Sequence, residues 1–391
     1  MQQTCAVIGV GMTSFGKFPD KSVRSLAETA VRAALDDAGV SPEAVDQVYF
    51  ANAVAGLITG QEMIRGQAAL RNSGLSGKPI VNVENACASG STAFYLAWNA
   101  VRSGQADVAV AVGAERMSHE DKRISFGALA KAVDLEEEPK ESTGTGTGSI
   151  FMDIYAEKTR KYMAETGTTA EDIAQIVVKS RKAASLNPVA QFRTETTVGE
   201  VLGSRMISNP LTLQMCSSIG DGAAAIVLCS PEFAKRMTTR TVWVGGSVLA
   251  SGSPDASLEA CVVRATRQAY EQTGIDPRDV HVVELHDASA PAELFASEAI
   301  GLCKPGEAVG LLRSGATALN GKISINPSGG LLSKGHPIGA TGIAQLVELT
   351  QQLRGTAGAR QRENARVALA ENAGGQIGLD TAAAVTTILH T

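Results

Sequence analysis

Cys87 stands in Asn85-Ala86-Cys87-Ala88-Ser89-Gly90, between a strand-like and a helix-like segment. A thiol at a helix N-terminus feels the positive end of the dipole, which favours thiolate. A free thiol of pKa about 8.5 is only a few per cent ionised at neutral pH, so such a shift makes a nucleophile. On local context Cys87 is either that nucleophile or a small buried hydrophobe, the reading that suits Cys5, Cys216, Cys229, Cys261 and Cys303. His336 lies in Gly335-His336-Pro337-Ile338-Gly339-Ala340-Thr341-Gly342, a Gly-rich turn opening a helix. Such a ring could take a thiol proton or hold an oxyanion, or could simply be tied to backbone. His286 follows Val282-Val283-Glu284-Leu285, at a strand end where α/β sheets place their sites, and reads equally well as a satisfied structural histidine.

Other segments offer less. Lys179, Arg181 and Lys182 form a compact basic cluster, with Arg193 and Arg205 further on; they suit either the phosphates of a cofactor or a solvated face. Gly9-Val10-Gly11 with Gly16 misses the G-x-G-x-x-G spacing, so it does not make a dinucleotide site. The Thr143 to Gly148 tract could bind an anion ahead of a helix, but reads more simply as a loop. No C-x-x-C pair occurs, which argues against a zinc site or a disulfide framework.

The elements that must position these residues come in two similar sets. Residues 39–53 and 274–288 repeat at an offset of 235, matching Gly39 with Gly274, Pro42 with Pro277, Val45 with Val280, Val48 with Val283 and Ala53 with Ala288. A helical pattern precedes each copy, over Val23 to Ala38 and Leu258 to Thr273, and each ends at a Gly suited to a left-handed cap. A β-type run precedes each helix, over Cys5 to Val10 and Thr241 to Leu249. Strand, loop, helix and strand then recur in both halves: Pro79 to Glu84, Gly90 to Arg102 and Ala106 to Gly113 in one, Lys322 to Asn326, Gly339 to Leu353 and Ala365 to Ala370 in the other. The alternation predicts a duplicated α/β protein with parallel, covered sheets. The halves are expected at 1–240 and 241–391, with an inserted loop domain at about 116–215. That insert holds the acidic run Asp134, Glu136, Glu137, Glu138 and a helix from Ser149 to Thr166; after it, Ala223 to Leu228 reads as a strand returning to the first half.

With 391 residues at 44% hydrophobic, the chain can bury a large core. Its net charge of −5 and lack of a basic stripe speak against nucleic acid, and no apolar run reaches membrane-spanning length. The termini carry no targeting signature, and a cytoplasmic location is expected.

The three motifs Asn85 to Gly90, Glu284-Leu285-His286-Asp287 and Gly335 to Gly342, together with the duplication, resemble the thiolase superfamily over nearly the whole chain. The H-D form of the second motif is similar to the sterol-carrier-protein type. The resemblance implies two βαβαβ-type halves stacked as αβαβα layers. It implies that Cys87 attacks an acyl thioester or 3-ketoacyl-CoA, that His336 activates the thiol, and that His286 helps bind the enolate oxygen. The N–H groups of Cys87 and Gly374 would form a second oxyanion hole. Ser217 and Asn372 would lie near the substrate and the cluster at Lys179, Arg181 and Lys182 near its phosphates. Coenzyme A is then a substrate, with no bound cofactor and no metal.

One departure from the family pattern matters. Thiolases usually carry a second cysteine as acid/base at the substrate α-carbon. The two positions where the family places it read Ala288 and Asn372 here, and neither side chain exchanges a proton at neutral pH. An acyltransferase without enolate chemistry, or a non-catalytic acyl-CoA or lipid-binding subunit, are the competing readings; a retro-aldolase fits less well. The resemblance further implies a homodimer or dimer of dimers, and some relatives work with a small zinc-ribbon/OB-fold partner.

Overall fold

A computed structural model describes residues 5–136, 149–238, 240–255 and 257–391. Glu137, Glu138 and the Thr143 to Gly148 tract lie outside the described residues. The first half runs β1 (Ala6–Met12), α1 (Val23–Ala38), β2 (Gln47–Ala51), β3 (Ile80–Val83), α2 (Ser89–Arg102) and β4 (Val108–Glu115). An excursion carrying α3 (Ile150–Thr166) and α4 (Ala170–Ser185) then returns through β5 (Gly222–Cys229). The second half is β6 (Val242–Ser251), α5 (Cys261–Thr273), β7 (Val282–Glu284), β8 (Ser324–Ile325), α6 (Ile338–Arg354), β9 (Val367–Ile377) and β10 (Asp380–His390).

The local signals have visible causes. Ser22 caps α1 by accepting from the Ser25 N–H, and the Ser25 hydroxyl reciprocates at Ser22 N. Gly39 and Gly274 end α1 and α5 at φ of 63° and 67°, a conformation that favours glycine. A short turn starting at Pro42 or Pro277 then feeds β2 or β7. Every residue of β4 and β5 is buried, which is why their sequences are apolar runs rather than alternations.

The strands join in the order β8-β7-β9-β10-β6-β1-β5-β4-β2-β3. Each half supplies five in the same arrangement, so the duplication extends to sheet topology. Within the sheet the halves join at β1 and β6, where Ala6 pairs with Trp243 and Val7 with Val242. The expectation of parallel sheets needs correction. β2 is parallel to β3 and β4, and β7 to β8 and β9, but β5, β1, β10 and β6 run antiparallel to their neighbours. In the second half the cause is a tight hairpin at Gly378-Leu379, which forces β10 back along β9. In the first half β5 returns along β4 after the long excursion, giving the same pairing.

The layers are those expected. α1 covers the outer face of the first half-sheet and α5 that of the second, while α2 and α6 lie between them in one apolar core. No helix of the described residues is long and apolar enough to cross a membrane.

Strand β4 and helix α2 both approach α6 closely. A Cβ on Gly113 would fall 2.2 Å from the Gly339 carbonyl oxygen, and one on Gly342 would fall 2.4 Å from the Ser91 nitrogen. Both obstacles are backbone, which cannot rotate away. Gly342→Ala is therefore expected to cost at least about 1–3 kcal/mol, as overpacking does. Urea unfolding should show a lowered midpoint, and an unchanged midpoint would mean that α2 and α6 are free to separate.

Candidate active site

Cys87 lies two residues before α2, and His336 lies two residues before α6. The duplication thus brings equivalent helix entrances from the two halves face to face. Ala86, just before the thiol, has φ of 49°, left-handed for a residue with a Cβ. Its N–H donates to Glu84 at 2.6 Å, which helps hold that turn. Cys87 is half-buried, whereas His286 and His336 are 7% and 6% exposed. The thiol sulfur and one ring nitrogen from each histidine lie within 4.8 Å of one another. The two rings meet edge to face, with centroids 5.2 Å apart.

Hydrogen bonds fix the ring orientations. His336 Nδ1 is 2.8 Å from Thr341 Oγ1, and that hydroxyl donates to the Pro337 carbonyl at 3.0 Å. Its single proton is thereby used, so Nδ1–H is the donor and Nε2 holds the lone pair. Asn372 Nδ2 lies 3.0 Å from His286 Nδ1, and Asn372 Oδ1 accepts from the Ser91 hydroxyl at 2.7 Å. With the amide nitrogen toward the ring, His286 presents Nε2–H.

The electrostatics correct one sequence expectation. Burial, reinforced by Glu115 and Glu84, pushes the Cys87 thiol up to about 12, against the direction in which the helix dipole was expected to move it. Burial also lowers His286 to about 4 and, helped by the neighbouring His286 and Lys334, holds His336 well below the usual imidazole range. Both shifts favour a neutral thiol beside neutral imidazoles.

Several supporting groups lack an obvious sequence signal. Glu115 is fully buried and accepts from Asn52 Nδ2 and Ala53 N at 2.8 Å, Val54 N at 3.2 Å and Gly339 N at 3.1 Å. Burial raises it to about 7 against those N–H groups. Glu371 accepts from the His286 N–H at 3.0 Å and is likewise raised to about 7 by burial. Lys334 and Glu284 form a buried pair at 3.3 Å beneath the His336 loop. Tyr155 on α3 lies within electrostatic reach of Cys87, Glu371 and Asp287, and burial pushes its phenol up. An acid closing the apolar run of β4 was a detectable hint of Glu115; nothing in the sequence marks Tyr155.

The remaining expected residues fall in different places. Gly374 packs its backbone against the Cys87 turn, since a Cβ there would be 2.3 Å from the Asn85 carbonyl oxygen and 2.5 Å from Ala88 N. Ser217 donates its N–H to the Ala288 carbonyl at 3.0 Å, which sets it beside the His286 strand end. Asn372 is fully buried and its side chain is engaged by His286 and Ser91. Lys179 does not face outward for a phosphate: it is 2.5 Å from Glu293 in an ion pair whose carboxylate is 2% exposed. Arg181 stacks 4.3 Å over Phe192, whose N–H donates to Ser333 near the His336 loop, and Lys182 is exposed.

Comparison with known proteins agrees with this architecture. The family model described as thiolase, N-terminal domain matches residues 5–203, and that described as thiolase C-terminal domain-like matches 248–391. An acetyl-CoA acetyltransferase of Methanothermobacter thermautotrophicus is 40% identical, covering 95% of this chain and 96% of its own. The benzoylsuccinyl-CoA thiolase subunit BbsB of Thauera aromatica is 39% identical over 96% of both chains. Sterol carrier protein 2 of Gallus gallus is 38% identical over 96% of this chain and 70% of its own. Human mitochondrial 3-ketoacyl-CoA thiolase shares the fold with a TM-score of 0.73 at 18% identity, over 100% of this chain and 99% of that one. A structure described as Ltp2-ChsH2(DUF35) aldolase superposes with a TM-score of 0.80 at 25% identity, over 98% and 97%.

Because the thiol rests protonated, its alkylation by iodoacetamide should keep accelerating with pH through about pH 9. His336→Asn should slow the reaction about 100-fold, as loss of a general base does, with Thr341→Val intermediate. A plateau below about pH 8 would instead reveal a preformed thiolate–imidazolium pair.

Proposed function

The chain belongs to the thiolase superfamily and is an acyltransferase, and we propose that it cleaves or forms a 3-ketoacyl-CoA through an acyl-enzyme on Cys87. The observation that carries this reading is the convergence of Cys87 with two neutral imidazoles within 4.8 Å. His336 Nε2 takes the thiol proton as the sulfur attacks the carbonyl carbon. His286 Nε2–H, oriented by Asn372, donates to the thioester oxygen as enolate charge develops there. The backbone N–H groups of Cys87 and Gly374 are assigned to the tetrahedral intermediate. Coenzyme A then accepts the acyl group, giving ping-pong kinetics. Arg181 and Lys182 are the candidates for its phosphates, and Ser217 for its pantetheine arm. A branched, aromatic or steroid-derived acyl group is the proposed substrate class, supported by a relative named for benzoylsuccinyl-CoA.

A second reading draws on a specific observation. Ala288 and Asn372 occupy both positions where the family keeps its α-carbon base, and Asn372 is fully used in orienting His286. An acyltransferase passing the group to a non-CoA acceptor needs Cys87 and His336 but no such base.

We also propose a homodimer built on β3. That strand ends the sheet, and its Val81 is 46% exposed; Met63 and Ile64, just before the segment packed on it, are 78% and 63% exposed. A small zinc-ribbon/OB-fold partner is a further proposal, supported by the relative named as a subunit. Val81→Lys, a charge on an open edge, is expected to yield monomer in sedimentation, and a persisting dimer would move the interface elsewhere.

Intact-protein mass spectrometry after mixing with acetyl-CoA and a panel of 3-ketoacyl-CoAs tests the chemistry. An acyl adduct absent from Cys87→Ala is expected, with a ketoacyl-CoA leaving its shortened acyl group. Adducts from simple thioesters alone would favour the second reading. No adduct from any compound would return the chain to a binding role.

A further inference from the structure

The atoms that converge at the site are one thiol sulfur and two imidazole nitrogens, within 4.8 Å of one another. Among the described residues this is the one cluster of three His, Cys, Asp or Glu side chains so arranged. Thiolate with imidazole is the donor set of borderline and soft cations such as Zn2+ and Cd2+, whereas Mg2+ and Ca2+ take oxygen.

The groups behind the rings match that use. Metal-binding histidines normally donate their second ring N–H to an outer partner, which fixes the tautomer. His336 does so already, through Nδ1 to Thr341 Oγ1 at 2.8 Å, leaving the Nε2 lone pair free. His286 Nδ1 faces the Asn372 amide at 3.0 Å. Turning that amide over sets its oxygen against the ring, so Nδ1–H donates and Nε2 is freed. The turned NH2 then faces Ser91 Oγ, 2.7 Å from the amide's other end, and a hydroxyl can accept as well as donate. That hydroxyl keeps a place for its own proton at the Ala88 carbonyl, 2.9 Å away. Zinc bonds of about 2.3 Å to sulfur and about 2.0–2.1 Å to nitrogen require the donor separations, now within 4.8 Å, to close by up to about 1.5 Å.

We propose that Cys87, His286 and His336 bind a single Zn2+ or Cd2+ ion and that occupancy switches the nucleophile off. The metal–sulfur bond replaces the S–H bond, the proton leaves to solvent, and no electron is transferred. The fourth coordination position stays open to water or to a thiol. Acylation blocks the site, because a thioester sulfur has no thiolate to give. The inhibitory consequence rests on the acyl-enzyme reading, whereas the binding itself does not.

The test titrates the metal-free full chain with Cd2+, followed by thiolate-to-cadmium charge-transfer absorbance, and with Zn2+ by equilibrium dialysis. One ion per chain is expected, undiminished by Mg2+. Cys87→Ala should abolish the absorbance, and His286→Ala and His336→Ala should each weaken binding at least about 10-fold. Wild-type protein alkylated at Cys87 should also lose the ion, which guards against misfolded variants. Undiminished binding by Cys87→Ala or by alkylated protein would overturn the proposal, as would wild-type affinity in both histidine variants. A chain that acylates but binds no ion would sink this inference alone. A chain that binds the ion but never acylates would sink the proposed function instead.

Discussion

Cys87 and His336 come from different halves of the chain, so their separation depends on whatever locks the halves together at the site. The Glu115 carboxylate does this. It ends β4 in the first half and gathers the N–H groups of Ala53 and Val54 with the side chain of Asn52. The same carboxylate takes the Gly339 N–H from the first turn of α6, three residues after His336. A buried carboxylate without such donors would be severely penalised, so the contacts persist or the acid must protonate. Close crossing at Gly113 and Gly342 makes the reach possible. Asp221 anchors the other end of the excursion in a similar way, accepting from Phe18 N, Met117 N and Ser118 N, each at 2.8 Å.

That clamp also sets the electrostatics. Glu115 raises the Cys87 thiol, second only to burial. In the proposed mechanism the site therefore holds no standing ion pair, and charge is generated when the thiol proton moves to His336. Beneath the His336 loop, the buried Lys334–Glu284 pair is completed by the Ser328 hydroxyl and N–H on Glu284. Removing one member of such a pair leaves an uncompensated charge and typically costs about 3–5 kcal/mol. The loop that carries His336 is thus held by interactions that are expensive to break, which suits the base role proposed for that residue.

Much of the frame was legible in the sequence. The offset of 235 between Gly39 and Gly274 predicted equivalent caps, turns and strands, and the structure reproduces all three. The α1 range was readable from its apolar stripe and its Gly stop, and the structure adds the Ser22 cap at its start. Sheet direction was not readable, because local pattern shows that a strand exists and not which neighbour it joins. The Lys179–Glu293 pair was missed for the same reason: its members are 114 residues apart and meet only through packing of α4 on the second half. Cys87 and His336 were marked by their positions at Gly-rich helix entrances, but the resemblance, rather than their spacing, gave them roles. Thr341 and Asn372 were both in view as letters; their work in fixing ring tautomers belongs to geometry alone.

The most direct test of the central claim is isotope exchange between labelled coenzyme A and unlabelled acetyl-CoA, with no other substrate present. A covalent acyl-enzyme on Cys87 predicts steady transfer of label into acetyl-CoA, abolished by His336→Asn and by Cys87→Ala. Absence of exchange in a chain that binds acetyl-CoA would contradict the acyl-enzyme and leave the paired thiol and imidazole without their proposed task.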